Sequence, residues 1–176
     1  MTKWTKENIE KEYKNGRRYF CGEDFSDLDL AGANLTKADL TKADLTGANL
    51  TVANLSMAIL TNADMRGAHL SGANLVGANL VGADISKVDL TGANLSWADM
   101  TDADMRGADM RGVYLDYSCL PLWCGSLNVK VDKRIAVQLM YHACALDCDD
   151  PEYQELRQKC IAFANKMHRT DVRRLE

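Results

Sequence analysis

The side chains with the strongest potential for chemistry are six cysteines, five of which lie in the last third of the 176-residue chain. Cys119 and Cys124, together with Cys144 and Cys148, could supply four thiolates to a zinc ion. Neither pair has the C-x2-C spacing of zinc knuckles. Buried reduced thiols explain the same residues, because cysteine packs like a small apolar side chain. We therefore expect reduced cysteines and no metal or other cofactor, with a Cys148–Cys160 disulfide as an alternative.

The histidines and nucleophiles form no catalytic arrangement. His69, His142 and His168 fall on different predicted elements, and no Ser or Cys stands beside one of them in a recognisable nucleophile motif. The chain has no Walker-type phosphate loop, since its glycines mostly recur at one position of a repeat, where they serve turns. We predict that the protein is not an enzyme.

Most side chains are positioned by a five-residue repeat that runs from Phe20 to Leu115. A large apolar residue returns at every fifth position, preceded by Asp or Asn almost throughout, and Ala stands two positions before it from Ala33 to Ala108, except at Val88. A helix would spread residues five apart around its axis, and a strand would place them on alternating faces. A strict internal repeat instead indicates a solenoid, whose units bury their apolar residues by stacking.

The A-(D/N)-L-x-x pattern closely resembles the pentapeptide-repeat proteins over residues 20–115. The resemblance implies an all-β solenoid, a right-handed quadrilateral β-helix with one pentapeptide per side and four per coil. The Leu and Ala positions would point inward. The twenty pentapeptides of this chain would then make about five coils.

The sequence divides into three predicted parts: an N-terminal capping helix in residues 1–19, the β-helix in residues 20–117, and a loop with a two-helix cap in residues 118–176. A short helix over 5–15 would begin at the N-cap Thr5. Its Trp4, Ile9 and Tyr13 would fold over the first coil.

The C-terminal part is predicted to form an α-helical hairpin, with a first helix over 132–147 and a second that restarts at Asp150-Pro151. Such a hairpin would cover the exposed backbone edge of the last coil, or it would join two copies of the chain as a homodimer.

The charge distribution bears on the class of partner. Residues 20–117 carry six Lys or Arg against fourteen Asp or Glu, a net −8 within a chain of net −4. This acidic segment argues against direct nucleic-acid binding, which needs a basic stripe. No apolar run approaches the roughly 20 residues of a membrane span. The N-terminus shows no secretory signal, so we expect a cytoplasmic protein that does not enter a membrane.

A register of twenty residues per coil would stack the repeat into columns. One column is acidic and comprises Asp24, Asp44, Asp64, Asp84 and Asp104. Some pentapeptide-repeat proteins mimic duplex DNA and bind type II topoisomerases such as DNA gyrase, and the resemblance extends that hypothesis to this acidic ladder. A structural role in the turns also explains this acidic ladder, because the short side chains of Asp and Asn hydrogen-bond to the backbone beside them. Arg66 and Arg106 would offset part of the charge.

A second surface feature is apolar. Most outward positions hold Thr, Ser, Lys or Gly, but six hold larger apolar or aromatic residues that gather around one edge: Met57, Ile59, Val76, Val81, Trp97 and Tyr117. A contiguous exposed apolar patch marks an interface. We predict a protein–protein interaction module whose partner the sequence does not name. A second copy of the chain or its own C-terminal helices are alternative occupants of this edge.

Overall fold

A computed structural model of the chain describes residues 4–116 and 118. In this part of the chain, parallel β-bridges join residues twenty positions apart, from Tyr19 with Asp39 to Asn94 with Tyr114. Because the chain turns once in every pentapeptide, this register closes one coil after four pentapeptides. Each coil therefore has four sides, and residues twenty apart stack in columns, as the sequence predicted.

The bridged segments are much shorter than ordinary strands. Among the described residues, the bridges are isolated, and each is formed by the residue that precedes the central apolar one. Two positions after the central residue, the backbone enters the left-handed region, as at Lys42 (φ 57°) and Gly47 (φ 66°). That conformation ends the extended segment. The predicted stacked strands are thus single bridging residues separated by turns.

One pentapeptide, residues 49–53, shows how the backbone is satisfied. The amides of Asn49, Leu50 and Val52 donate to carbonyl oxygens of neighbouring coils at 2.7–2.9 Å. The Ala53 amide donates to the Leu50 carbonyl within the turn at 3.0 Å. The fifth amide, of Thr51, donates to Oδ1 of Asn49 at 3.1 Å. Every N–H of the unit therefore has a partner, as a solenoid with so little regular structure requires.

The core is formed by the two inward positions that the repeat predicts for each pentapeptide. Along the described solenoid the central apolar residues and the Ala or Val positions are buried, and Leu50 and Ala48 have no exposed surface. Burying one such Leu contributes about 1.5–3 kcal/mol. The described residues include no buried polar or charged side chain. The space between the four sides is thus filled by apolar side chains.

A single helix, α1 (Lys6–Lys14), precedes the solenoid in the described residues. Oγ1 of its N-cap Thr5 accepts from the Asn8 amide at 3.3 Å, and Oδ1 of Asn8 accepts from the Thr5 amide at 2.8 Å. This reciprocal pair is a capping box with Asn in place of Glu. No helix in the described part is long and apolar enough to cross a membrane.

Aromatic contacts join this N-terminal segment to the first coil. The Trp4 ring meets Phe20 and Phe25 edge-on, with centroid distances of 5.8 and 5.5 Å. Its Nε1 donates to Glu23 at 2.8 Å. Ile9 is 1% exposed. Bulky side chains thus close the first coil, where no earlier coil covers the core. The predicted C-terminal hairpin and the cysteines from Cys119 onward lie outside the described residues.

Candidate interaction faces

The Asp and Asn positions serve the turns in the same way around the coil. In most units, Oδ1 accepts the amide two residues later, as from Thr41 to Asp39 at 3.0 Å and from Ser56 to Asn54 at 3.1 Å. The hydroxyl of the same Thr or Ser often donates to that oxygen as well. This Asx turn explains why either residue is accepted at the position.

The five aspartates of the predicted ladder stack directly on one side of the coil, with parallel bridges linking Asp24 through Asp104. We call this side the acidic face. Arg66 binds Asp64 in a bidentate pair at 2.8 and 2.6 Å and lies 3.8 Å from Asp84. Arg106 binds Asp104 in the same way at 2.9 and 2.5 Å. The two arginines therefore offset part of the negative charge of the aspartates, as expected from the sequence.

The arginine contacts also lower the pKa of two carboxyl groups on this face. The hydrogen bonds from Arg66 are the largest influence that lowers the pKa of Asp64, and burial opposes them only in part. The pKa of Asp104 is lowered for the same reason by Arg106. Both carboxylates stay ionised near neutral pH, but a cation accompanies each of them. The acidic face is consequently less negative than a count of its aspartates suggests.

The opposite side of the coil carries almost no charge. Ten residues make half a coil, so the column Asn34, Asn54, Asn74, Asn94 and Tyr114 lies across the solenoid from the Asp column. We call this side, including the turn positions at its two edges, the neutral face, and each of its five stacked levels a rung. Lys37 stands at the first rung and Asp116 at the last. The one other charged side chain at these outward positions is Arg111, at the edge of the last rung, and it donates to Asp109 on the adjacent side of the coil at 2.6 Å.

Three of the predicted edge residues lie on the neutral face. Met57 is 58% and Trp97 63% exposed, and both occupy the edge that follows the Asn column. Val76 is half-buried, and its carbonyl accepts the Met57 amide at 2.9 Å. Ile59 and Val81 lie on the adjacent side of the coil. Tyr117 falls outside the described residues.

Three exposed residues of similar character were not predicted from the sequence. Val52 is 63% exposed at the other edge of the neutral face, Tyr114 is 54% exposed in its last rung, and Tyr19 is 74% exposed on the first coil. The sequence contains one indication for Val52. The other residues of its column are all glycines, at 32, 72, 92 and 112, so a valine there is unusual.

The apolar residues at the edges of the neutral face adopt a costly backbone conformation. Val52, Met57 and Trp97 have φ values of 51°, 56° and 63°. A left-handed conformation costs about 1–2 kcal/mol for a residue other than Gly, Asn or Asp, and β-branching makes it worse. Glycine fills this turn position in many other pentapeptides. The chain thus holds large apolar groups outward at positions where glycine would be more stable.

In the described part of the chain, few reactive or metal-binding side chains lie outside these faces. The pKa of the exposed Cys21 thiol is raised, first by partial loss of surrounding water and then by its hydrogen bond to the Asp39 carboxylate. His69 is exposed. Among residues 4–116 and 118, no three His, Cys, Asp or Glu side chains are grouped to hold a metal ion. The cysteines of the zinc hypothesis lie outside this range.

A match to a family model covers most of the described coil. The family model described as pentapeptide repeats matches in several overlapping segments between residues 24 and 116. No curated protein matches the sequence.

Three solved structures of similar fold come from cyanobacteria and a plant. A pentapeptide repeat protein of Cyanothece 51142, Rfr23, is 27% identical with a TM-score of 0.61, covering 72% of this chain and 96% of its own. One from the thylakoid lumen of Arabidopsis thaliana is 31% identical with a TM-score of 0.55, covering 71% and 77%. One from Nostoc is 29% identical with a TM-score of 0.53, covering 73% and 96%.

Proposed function

Because the chain belongs to the pentapeptide repeat family, whose members fold as right-handed quadrilateral β-helices, we propose that it is a non-catalytic protein-interaction module. Its contact surface is the neutral face. The solenoid interior is filled by buried Leu and Ala side chains, so the outer sides are where a partner can bind. We place this activity in the cytoplasm.

The observation that carries the proposal is the conformation of Val52, Met57 and Trp97. Each keeps a large apolar side chain exposed at a left-handed turn position. A role in binding explains why this conformational cost is retained, because local backbone strain at a surface position is typical of functional sites. Between Lys37 and Asp116 the face carries only one charged side chain, Arg111, which is paired with Asp109. This low charge further suits burial against a partner, since charged groups are costly to desolvate.

A photocrosslinking experiment tests this proposal. A benzoylphenylalanine residue is placed at Ser96, between Val76 and Trp97 on the neutral face, or at Thr46 on the acidic face as the matched control. Crosslinking is performed in cells of the source organism, and the products are identified by mass spectrometry. We expect a discrete protein adduct from position 96 and none from position 46. Adducts from position 46 alone, or from neither position, would overturn the proposal.

The second candidate function is a DNA-mimicking inhibitor of DNA gyrase that acts through the acidic face. The five aspartates stacked in register on one side favour it, and the arginine pairs at Asp64 and Asp104 weigh against it. The test is a gyrase supercoiling assay with the parent and with a variant in which Asp44, Asp64 and Asp84 are Asn. Inhibition that the variant loses supports this candidate. No effect at micromolar protein removes it.

A further inference from the structure

We propose that the occupant of the neutral face is a second copy of this chain, bound face to face and antiparallel. The inference rests on the proposed function, because it names the partner of the same face. The two-fold axis lies in the interface, perpendicular to the solenoid axis, at the middle rung. It exchanges the first rung of one copy with the fifth of the other and the second with the fourth. The third rung, which contains Val76 and Gly77, faces itself.

The edge that follows the Asn column is complementary to itself under this operation. Its outward residues in the first four rungs are Lys37, Met57, Gly77 and Trp97. The axis brings Met57 of one copy against Trp97 of the other, twice, and the small Gly77 against itself. Methionine sulfur against an aromatic ring is a favourable contact. An interface in which residue i meets j and j meets i is the signature of two-fold association.

The other edge of the neutral face repeats this complementarity with a different pair. There the axis places Val52 against the second copy's Gly92, and Gly72 against itself. Val52 projects from the surface. A Cβ atom added at Gly92 would meet no heavy atom within 4 Å in its own chain. A protruding side chain is therefore matched to an open position on both sides of the axis.

Two of the three charged residues of the face also match in this orientation. Lys37 in the first rung lies opposite the second copy's Asp116 in the fifth, and both side chains are exposed. A parallel two-fold arrangement would instead exchange the two edges of the face, so that Lys37 would not meet Asp116. The acidic faces point away from each other, half a coil from the contact. The Lys37–Asp116 contacts thus support the antiparallel orientation.

The size of the face predicts a weak, reversible dimer. Five rungs span roughly 19 Å at about 4.8 Å per step. A single side of that length is smaller than the roughly 800 Å² per partner of a standard interface. We therefore expect a dissociation constant on the order of tens of micromolar.

Sedimentation velocity of the full chain under reducing conditions, over a range of concentrations, tests the dimer. Met57→Gly and Trp97→Gly should each weaken association about tenfold. Because glycine suits their backbone conformation, neither variant should melt at a lower temperature, which separates lost binding from lost folding. The matched control is Asn62→Gly, a residue of φ 55° on a different edge of the coil. It should leave the association unchanged.

Charge reversal tests the orientation. Lys37→Asp and Asp116→Lys should each weaken the dimer about threefold to tenfold at low salt, and the double variant Lys37→Asp/Asp116→Lys should restore it. The proposal is overturned by a chain that stays monomeric at all concentrations, by a dimer insensitive to Met57→Gly and Trp97→Gly, or by a double variant weaker than either single one. An adduct from Ser96 to another protein, with a monomeric chain, would refute the dimer and leave the proposed function standing.

Discussion

The Met57 side chain lies across Gly77, its neighbour one coil further along the same column. Its Cγ is 3.8 Å from the place that a Cβ of residue 77 would occupy. Val52 reaches over Gly72 in the same way, with Cγ1 at 3.2 Å. At both positions the side chain leans over the next coil, where a glycine leaves room for it.

Val52→Gly should stabilise the protein by about 1 kcal/mol. The substitution removes a β-branched residue from a left-handed conformation, which outweighs the greater entropy of glycine in the unfolded chain. Urea unfolding followed by circular dichroism measures the change, with Asn62→Gly as a control. The control should gain less, because Asn tolerates this conformation. A Val52→Gly variant that is less stable than the parent would contradict the assigned strain.

Leu50→Lys should abolish cooperative folding of the adjacent coils. Leu50 is fully buried with no polar partner nearby in the core, so an ammonium group there would lose its hydration without compensation. Leu50→Ala should cost about 2–5 kcal/mol and still fold. Thermal melting by circular dichroism distinguishes the three proteins. A Leu50→Lys variant that melts within a few degrees of the parent would show that this position is not enclosed.

Stability should fall with acid below about pH 5. The pKa values of Asp39, Asp64, Asp99 and Asp104 lie below the ordinary 3.8, chiefly because Thr or Arg side chains donate to the carboxylates. The unfolded chain therefore binds more protons than the folded one in this window. The stabilisation is complete above the unfolded pKa and disappears as pH falls through the folded values.

Urea unfolding between pH 2 and pH 6 measures this dependence. Asp104→Asn keeps the turn acceptor and loses the ion pair with Arg106, so its curve should be shallower than that of the parent. Asp44→Asn serves as a control at an aspartate of the same column without an arginine two residues later. A parent whose stability is constant over this range would contradict the lowered pKa values.

The Cys21 thiol should alkylate slowly, because its raised pKa reduces the thiolate fraction near neutral pH. Asp39→Asn removes the neighbouring negative charge and should increase the iodoacetamide rate, while the burial contribution remains. Peptide mass spectrometry reports the rate at Cys21 separately from the other cysteines. An unchanged rate in the variant would show that Asp39 does not influence the thiol.

Much of the fold could be predicted from the sequence because every pentapeptide meets the same structural requirement. Each pentapeptide must bury Leu and Ala and turn at the same place, so period and residue type together predict inward columns and Asx turns. The helix α1 was predictable from Thr5 because capping is a local interaction. Its contacts at Trp4 and Ile9 followed from the need to cover the core at the first coil.

The sequence determined the repeat, its inward residues and the Asp column, since these depend on contacts within five or twenty residues. Only the tertiary structure decided what each side of the coil presents. It placed the neutral face opposite the acidic one, paired Arg66 and Arg106 with their aspartates, and set Val52 beside Met57 at the two edges of one side. It also revealed that these residues hold left-handed conformations. Packing between coils determines the backbone conformation and the direction in which a side chain leans over the next coil. This packing cannot be inferred from residue types alone.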